Sequence, residues 1–222
     1  MLENALQVAA LQPDIMGWVL VPGTPRYLDP ATAARNIERI QRSFPMVKHW
    51  AVVLHSNTAQ LRALGQFDQF FQAIQIVWPD SDDLPGNTRP LHIAADGSWS
   101  LGDLQFTASM EPVPAIRVKA QIDNNSLQRI LKCGHFVLDA WVAGQAGGTG
   151  HRIRSEWIQS VQRPFLLAGG LDPLNVTQAI KAAPASIIGA DSSSGLENGI
   201  AGVKDLAKVK AWIKAIHNYQ VL

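Results

Sequence analysis

The sequence predicts an α/β fold of the (β/α)8 barrel type, and three observations support this. Seven short apolar runs mostly alternate with segments of helical periodicity. Such alternation is typical of a parallel sheet. The later runs end in glycine, serine or aspartate, as barrel strands do where they open into ligand-binding loops. The 222 residues are close to the roughly 250 of a usual barrel. A doubly wound open sheet is the alternative fold.

The first part of the chain predicts three strands and three helices. Each strand is a short, continuous apolar run, as expected for a buried parallel strand, and the runs are 15–21, 50–55 and 73–78. Apolar residues on one face predict a first helix over 2–11. Asp29 and Pro30 predict the start of the second helix, with aspartate as N-cap and proline in the first turn. A third helix is predicted over 58–67.

Region 79–115 departs from this rhythm and is predicted to be irregular. It opens with a polar, proline-rich stretch. Alternating apolar and polar residues over 91–108, around Asp96-Gly97, predict a β-hairpin in place of a helix.

The remaining residues resume the alternation and complete a single domain, 1–222. Strands are predicted at 116–122, 136–142, 164–170 and from 186. Helices are predicted at 125–132, at 155–161, from Asp172-Pro173, and at 204–217, the last with Leu206, Val209, Ile213 and Ile216 on one face.

Composition excludes several classes of protein. The net charge of +1 gives no basic field for nucleic acid, and no apolar run reaches the roughly 18 residues of a membrane helix. The N-terminus lacks the basic region of a signal peptide. The single cysteine excludes an internal disulfide and suits a reducing cytoplasm. We find neither metal-ligand spacing nor a dinucleotide fingerprint, so neither metal nor cofactor is expected.

Candidate functional residues follow the later strands. Asp139 ends a buried strand, where a carboxyl group of raised pKa can act as general acid; a loop-capping aspartate is the alternative. Gly147-Gly148-Thr149-Gly150 and Gly169-Gly170 suit close approach of a phosphate, although glycine also serves simple turns. Asp191 opens the last loop. The next residues include Ser193, Ser194 and Gly195, which can donate hydrogen bonds to phosphate oxygens. Alternatively, they cap a short helix.

Three other residues are weaker candidates. Arg26 follows the first strand, where a guanidinium can clamp a carboxylate; a surface arginine is the commoner case. His55 ends the second strand and is a candidate acid or base, or else a loop histidine. Cys133 precedes a strand, at the wrong end for a barrel active site, and is interpreted as structural.

Four stretches together resemble the phosphoribosylanthranilate isomerase family, the (β/α)8 enzymes of tryptophan biosynthesis. They are GWVLVPGTPRYLDPATA (17–33), VLDAWVAGQAGGTG (137–150), LLAGGLDPLNVTQAI (166–180) and ADSSSGLENGIAGVKDLAKVKAWI (190–213). The resemblance covers nearly the whole chain and is weak from about 79 to 135. It implies a TIM-barrel-like fold and an Amadori rearrangement of a phosphorylated pentose-anthranilate.

The resemblance also implies roles for individual residues. Asp139 matches the general acid, and Arg26 matches the arginine that holds the anthranilate carboxylate. The phosphate loops correspond to Gly169, Gly170, Ser193, Ser194 and Gly195.

The sequence also departs from the family pattern. The family's first strand carries the cysteine that acts as general base, and the present sequence is expected to lack both strand and cysteine. In strand four the family has glutamine-leucine-histidine-glycine. The matching residues here are Gln75-Ile76-Val77-Trp78, so the histidine is absent. Asp191 and His55 are the candidate replacements for the base. The alternative is an inactive relative that binds a sugar phosphate or serves as a partner subunit. A homodimer is one way to cover the missing strand.

Overall fold

A seven-stranded parallel sheet forms the body of the molecule. The computed structural model describes residues 2–55, 57–78, 91–122, 127, 133–140 and 152–220. In sheet order the strands are β1 (Ile15–Val19), β2 (Lys48–Leu54), β3 (Ala73–Val77), β7 (Glu111–Val118), β8 (Phe136–Ala140), β9 (Phe165–Leu167) and β10 (Ile187–Ala190). Neighbours in this order pair in parallel. The predicted α/β class is confirmed.

Helices pack outside this sheet. They are α1 (Leu2–Ala9), α2 (Pro30–Gln41), α3 (Thr58–Leu64), α4 (Val176–Ala182) and α5 (Leu206–Gln220). The predicted start of α2 is confirmed, because the Asp29 carboxylate accepts a hydrogen bond from Thr32 N at 2.9 Å. None of the helices in the described residues is long and apolar enough to cross a membrane.

The predicted hairpin is present and is extended by one more strand. Strands β4 (Leu91–Ile93), β5 (Trp99–Leu101) and β6 (Leu104–Phe106) form a separate antiparallel sheet. Its turn is the predicted one: Gly97 has a φ of +83°, and the Asp96 carboxylate accepts from Ser98 N at 3.0 Å. Trp99 stacks on Phe106 with ring centroids 4.0 Å apart, so this small sheet buries its own aromatic pair.

The prediction that 79–115 is irregular is wrong for its last residues, because β7 begins at Glu111. Its two prolines, Pro112 and Pro114, argued against a strand, since proline lacks a backbone N–H. Odd-numbered residues of β7 bond to the β3 side, as shown by Glu111 N donating to Gln72 O at 2.9 Å. Both proline nitrogens therefore face the β8 side, where pairing starts only at Ala115. No ladder hydrogen bond is lost.

Two predicted helices were placed wrongly. Over 155–161 there is only a single 3₁₀ turn, Ser155–Trp157. The Ser155 carbonyl accepts from Ile158 N and from the Gln159 side chain, so the α-helical pattern does not form. Helix α4 starts at Val176 and not at Pro173, because the Asp172 carboxylate caps a preceding turn through Leu174 N and Asn175 N.

The apolar faces of the terminal helices differ from the prediction in detail. Val8 and Ala9 are the buried residues of α1, whereas Ala10 is exposed. On α5, Trp212 is buried with Val209 and Ile216, while Leu206 is 36% exposed. Helix α1 packs against both α2 and α5, so the first helix of the chain contacts the last one.

Candidate active site

A cavity of about 770 Å³ runs along the sheet from the amino ends of the strands to the carboxyl ends of the later ones. This volume lies within the usual range for small-molecule sites. Most of the residues singled out from the sequence line it: Arg26, Asp139, Gly169, Gly170, Asp191, Ser193 and Ser194. They come together because Ala168 N bonds to Leu138 O and Asp191 N bonds to Leu167 O, which brings the ends of β8, β9 and β10 side by side.

Asp139 occupies the penultimate position of β8 and faces this cavity. Burial raises the pKa of its carboxyl group to about 6, and the negative charge of Asp191 adds to that rise. The Arg117 charge and the Ala140 N–H act in the opposite direction. Near neutral pH, Asp139 is therefore a carboxyl group that both holds and releases a proton, as a general acid must.

Asp191 follows β10 and forms the second acidic group of the cavity. Burial raises the pKa of its carboxyl group, while the nearby Lys204 ammonium and the Ser192 N–H lower it. Lys204 also lines the cavity and donates to the Ser193 carbonyl at 2.7 Å. Its backbone is tied to α1, because Asn4 exchanges two hydrogen bonds with it. A fixed cation thus stands beside Asp191.

The two glycines after β9 make a tight loop beside the acid. Gly169 has a φ of +90° and Gly170 of +61°, conformations that favour glycine. A β-carbon on Gly169 would come within 2.6 Å of Ala140 N. Glycine is therefore required here both by backbone conformation and by the space available.

The loop after β10 contacts the glycine loop directly. Ser192 Oγ donates to the Leu171 carbonyl at 2.6 Å, and a β-carbon on Gly195 would collide with that same oxygen. Gly195 itself does not line the cavity, unlike Ser193 and Ser194. Of the predicted phosphate residues, Gly148 lies outside the described residues, as do the other glycines of 147–150.

Arg26 also lines the cavity and forms a bidentate ion pair with Glu197. Its Nε donates to Oε1 at 2.7 Å and its Nη2 to Oε2 at 2.8 Å. Glu197 follows the serine loop, so the contact joins the first loop of the chain to the last one.

Two other sequence candidates lie away from the cavity. His55 is buried and stacks on Trp78 with ring centroids 4.9 Å apart. Cys133 is buried before β8, and burial raises the pKa of its thiol to about 12, which suits its structural interpretation.

Sequence reasoning missed three charged residues that shape the site: Arg117, Glu197 and Lys204. Arg117 is 6% exposed and pairs in register with Asp139 across β7 and β8. The available signal was a single charged residue within the apolar run IRV, because burying an unpaired charge costs free energy and therefore indicates a partner. Glu197 and Lys204 lie within the stretch 190–213, but their spacing in the sequence does not indicate that they contact each other or Arg26.

The cavity also extends along both edges of the sheet. Among the described residues, β1 and β10 each pair with one neighbour only. Residues of both edge strands line the cavity, including Met16, Gly17, Ile188 and Gly189. Ile188 is 46% exposed, which is unusual for a strand of a parallel sheet. The sheet is therefore open on the side of the cavity that faces α1 and α5.

A curled parallel sheet with an acid and small-residue loops at its carboxyl edge defines an α/β-barrel protein with an enzyme-type cavity. The comparisons with known proteins agree with this class. A model of the family described as N-(5'-phosphoribosyl)anthranilate (PRA) isomerase matches residues 102–215. The N-(5'-phosphoribosyl)anthranilate isomerase of Synechococcus elongatus is 30% identical over 229 residues, which cover 99% of this chain and 94% of that relative. The chain belongs to this isomerase family.

Solved structures show the same fold. The phosphoribosyl anthranilate isomerase of Thermus thermophilus matches with a TM-score of 0.71 and 20% identity, covering 99% of this chain and 95% of that one. A second isomerase structure, in complex with reduced 1-(o-carboxyphenylamino)-1-deoxyribulose 5-phosphate, matches with a TM-score of 0.63 and 21% identity, covering 98% and 94%. The TIM-barrel-like fold expected from the sequence is confirmed.

Proposed function

We propose that this protein catalyses the Amadori rearrangement of N-(5'-phosphoribosyl)anthranilate to its 1-deoxyribulose phosphate, a step of tryptophan biosynthesis. The observation that carries the proposal is Asp139, an acid with a pKa of about 6 in the same cavity as the small-residue loops. The named relatives support the same reaction.

Asp139 is the general acid of this proposal. Its protonated carboxyl group donates a proton to the furanose ring oxygen, and the C1′–O bond breaks to give the open-chain iminium ion. The negative charge of Asp191 and the burial of Asp139 keep the proton on the acid until the substrate arrives. The carboxylate of Asp139 is left ionised, and the iminium makes the C2′ proton acidic.

The phosphate and the carboxylate of the substrate bind to different groups that line the cavity. Gly169, Gly170, Ser193 and Ser194 surround the phosphate, with backbone N–H groups and hydroxyl groups as donors. Gly195 supports this loop from behind, and Gly148 is a further phosphate candidate, proposed from its glycine-rich stretch 147–150. The anthranilate carboxylate binds Arg26, whose guanidinium suits a carboxylate. The sugar then lies between them, near Asp139.

A base must remove the C2′ proton to give the enol-amine that becomes the ketone product. Because the sequence is expected to lack the family's cysteine, we assign this role to another group. Of the two replacements considered from the sequence, the structure supports Asp191, which lines the cavity with Asp139, over the buried His55. The Lys204 charge favours the ionised carboxylate that a base requires.

A fluorescence assay tests the proposal. Purified protein is mixed with N-(5'-phosphoribosyl)anthranilate, and consumption of the fluorescent substrate is followed. We expect acceleration over background that Asp139→Asn abolishes. Asp103→Asn, which removes an exposed carboxylate paired with Arg62, is the matched control and should retain the rate. No acceleration by the wild-type chain contradicts the enzymatic proposal.

The second candidate function is a relative that binds the sugar phosphate without turning it over. The specific observation in its favour is the open sheet edge beside the cavity, on the side where Met16 and Ile188 lie. Binding of the reduced product analogue without turnover would support it. A homodimer that covers the open edge belongs to this proposal and predicts twice the 24.2 kDa chain mass in light scattering. A cytoplasmic location is proposed from the single cysteine.

A further inference from the structure

Among the described residues, the guanidinium of Arg26 is held along one edge, by Glu197. Glu197 occupies Nε and one hydrogen of Nη2, at 2.7 and 2.8 Å. An arginine side chain carries five N–H donors, so both hydrogens of Nη1 and one of Nη2 are left over by this pair. Arg26 lines the cavity, whereas Glu197 does not and is only 7% exposed. The carboxylate therefore stands behind the guanidinium as seen from the cavity.

Glu197 is itself fixed in place. Gly202 N donates to its Oε1 at 2.8 Å, Lys204 Nζ lies 3.5 Å from the same oxygen, and Lys208 Nζ donates to its backbone carbonyl at 2.8 Å. Burial acts to raise the pKa of its carboxyl group, but the hydrogen bonds from Arg26 and Gly202 and the nearby positive charges lower it overall. Glu197 is thus an ionised, rigid anchor at neutral pH.

A buried anchor behind a loop arginine has a clear physical use. An arginine side chain that is free to rotate loses conformational entropy when a ligand fixes it, and fixing it beforehand removes that cost from binding. The planar guanidinium also forms two parallel hydrogen bonds to a carboxylate only when its plane and N–H groups are oriented towards that carboxylate.

We propose that Glu197 is a positioning residue: it holds the Nε edge of Arg26 so that the Nη edge is presented to the carboxylate on the aromatic ring of the ligand. The inference rests on the proposed function, which places a ligand carboxylate at Arg26. Glu197 acts through Arg26 and does not touch the ligand.

The test compares two ligands in wild type and Glu197→Gln. One ligand is reduced 1-(o-carboxyphenylamino)-1-deoxyribulose 5-phosphate, and the other is the same compound without the ring carboxyl group. Wild type is expected to prefer the carboxylated compound. In the Gln variant that preference should fall about tenfold, as expected for one disturbed charge-assisted pair. In turnover, KM should rise about tenfold with kcat changed less than about twofold, the signature of lost binding in ground and transition states alike.

Two further variants make the outcome decisive. Glu38→Gln breaks the exposed Glu38–Arg42 pair and should leave both affinities unchanged. Glu197→Asp keeps the charge but shortens the arm, and should lose part of the preference; it supplies the same test if the Gln variant does not fold.

Different failures have different meanings. An unchanged preference in the Glu197 variants overturns the inference, and so does a stronger preference, which would make Glu197 a competitor for Arg26. Equal binding of both ligands by wild type overturns it as well, while the binding of a sugar phosphate stands. Wild type that binds neither ligand contradicts the proposed function, and the inference falls with it.

Discussion

Gly169 packs directly against Asp139: a β-carbon on Gly169 would lie 2.9 Å from Oδ1 of the acid. The same β-carbon would lie 2.5 Å from the Ala140 β-carbon, far inside van der Waals contact. The loop after β9 and the acid at the end of β8 therefore fit together only because residue 169 has no side chain. The proposed phosphate loop and the proposed general acid are therefore one packed unit.

We expect Gly169→Ala to destabilise the protein by more than about 2 kcal/mol, because the positive φ and the overlap both cost free energy. Activity should fall further than stability, since the methyl group displaces the Asp139 carboxylate. Urea unfolding and the fluorescence assay measure the two effects.

Gly199→Ala is the matched control for this substitution. Gly199 has a φ of +102°, but a β-carbon there meets no atom within 4 Å. It should show the conformational cost alone, about 1 kcal/mol. Equal losses in the two variants would show that the contact between Gly169 and Asp139 is unimportant.

Asp139→Asn should stabilise the protein at alkaline pH while abolishing turnover. The folded-state pKa of about 6 lies above the ordinary carboxyl value of 3.8, so the folded protein holds this proton more tightly than the unfolded chain. The stability contributed by the protonated acid is complete below pH 3.8 and is lost as the pH rises through 6. At pH 8 the Asn variant should gain up to about 3 kcal/mol of unfolding free energy, and near pH 4 only about 0.5 kcal/mol. Urea titrations at both pH values measure this, and a variant that is less stable at pH 8 would contradict it.

Arg117→Met should move the alkaline limb of the pH–rate profile upwards. The Arg117 charge lowers the pKa of Asp139, so its removal makes the acid hold its proton to higher pH. We expect kcat/KM to begin its alkaline fall about half a pH unit or more later than in wild type. Arg62→Met, which removes an exposed arginine on α3, should leave the profile in place. A limb that moves downwards or stays would show that Arg117 does not act on Asp139.

The sequence was a good guide where one short stretch determines the outcome. The α2 cap at Asp29 and the turn at Asp96-Gly97 depend on local residues and were predicted correctly. The 3₁₀ turn at Ser155 was missed because the Gln159 side chain also reaches Ala182 O, 23 residues away.

The same distinction applies to the site. Asp139 could be singled out because its strand alone determines its position at the edge of the sheet. The Arg26–Glu197 pair joins residues 171 positions apart, and no local pattern indicates such a contact. Arg117 owes its influence to the register of β7 against β8, which the sequence leaves open.

A buried histidine that does not line the cavity should limit stability in acid. His49 on β2 is fully buried, its Nδ1 accepts from Trp18 Nε1 at 3.1 Å, and its Nε2 has no hydrogen-bond partner among the described residues. Burial lowers the pKa of the imidazole from 6.5 to about 4, so the unfolded chain takes up the proton first as the pH falls.

The stability that His49 provides as a neutral ring is therefore present above pH 6.5 and is lost as the pH falls towards 4. Between pH 7 and pH 5 this one group should cost wild type about 2 kcal/mol of unfolding free energy. In His49→Gln the side chain can still accept from Trp18 but does not titrate, so that increment should be missing from the urea curves. Other titrating groups are the same in both proteins and cancel in the difference. If both proteins lose equal stability over this range, His49 is not the group that responds to acid.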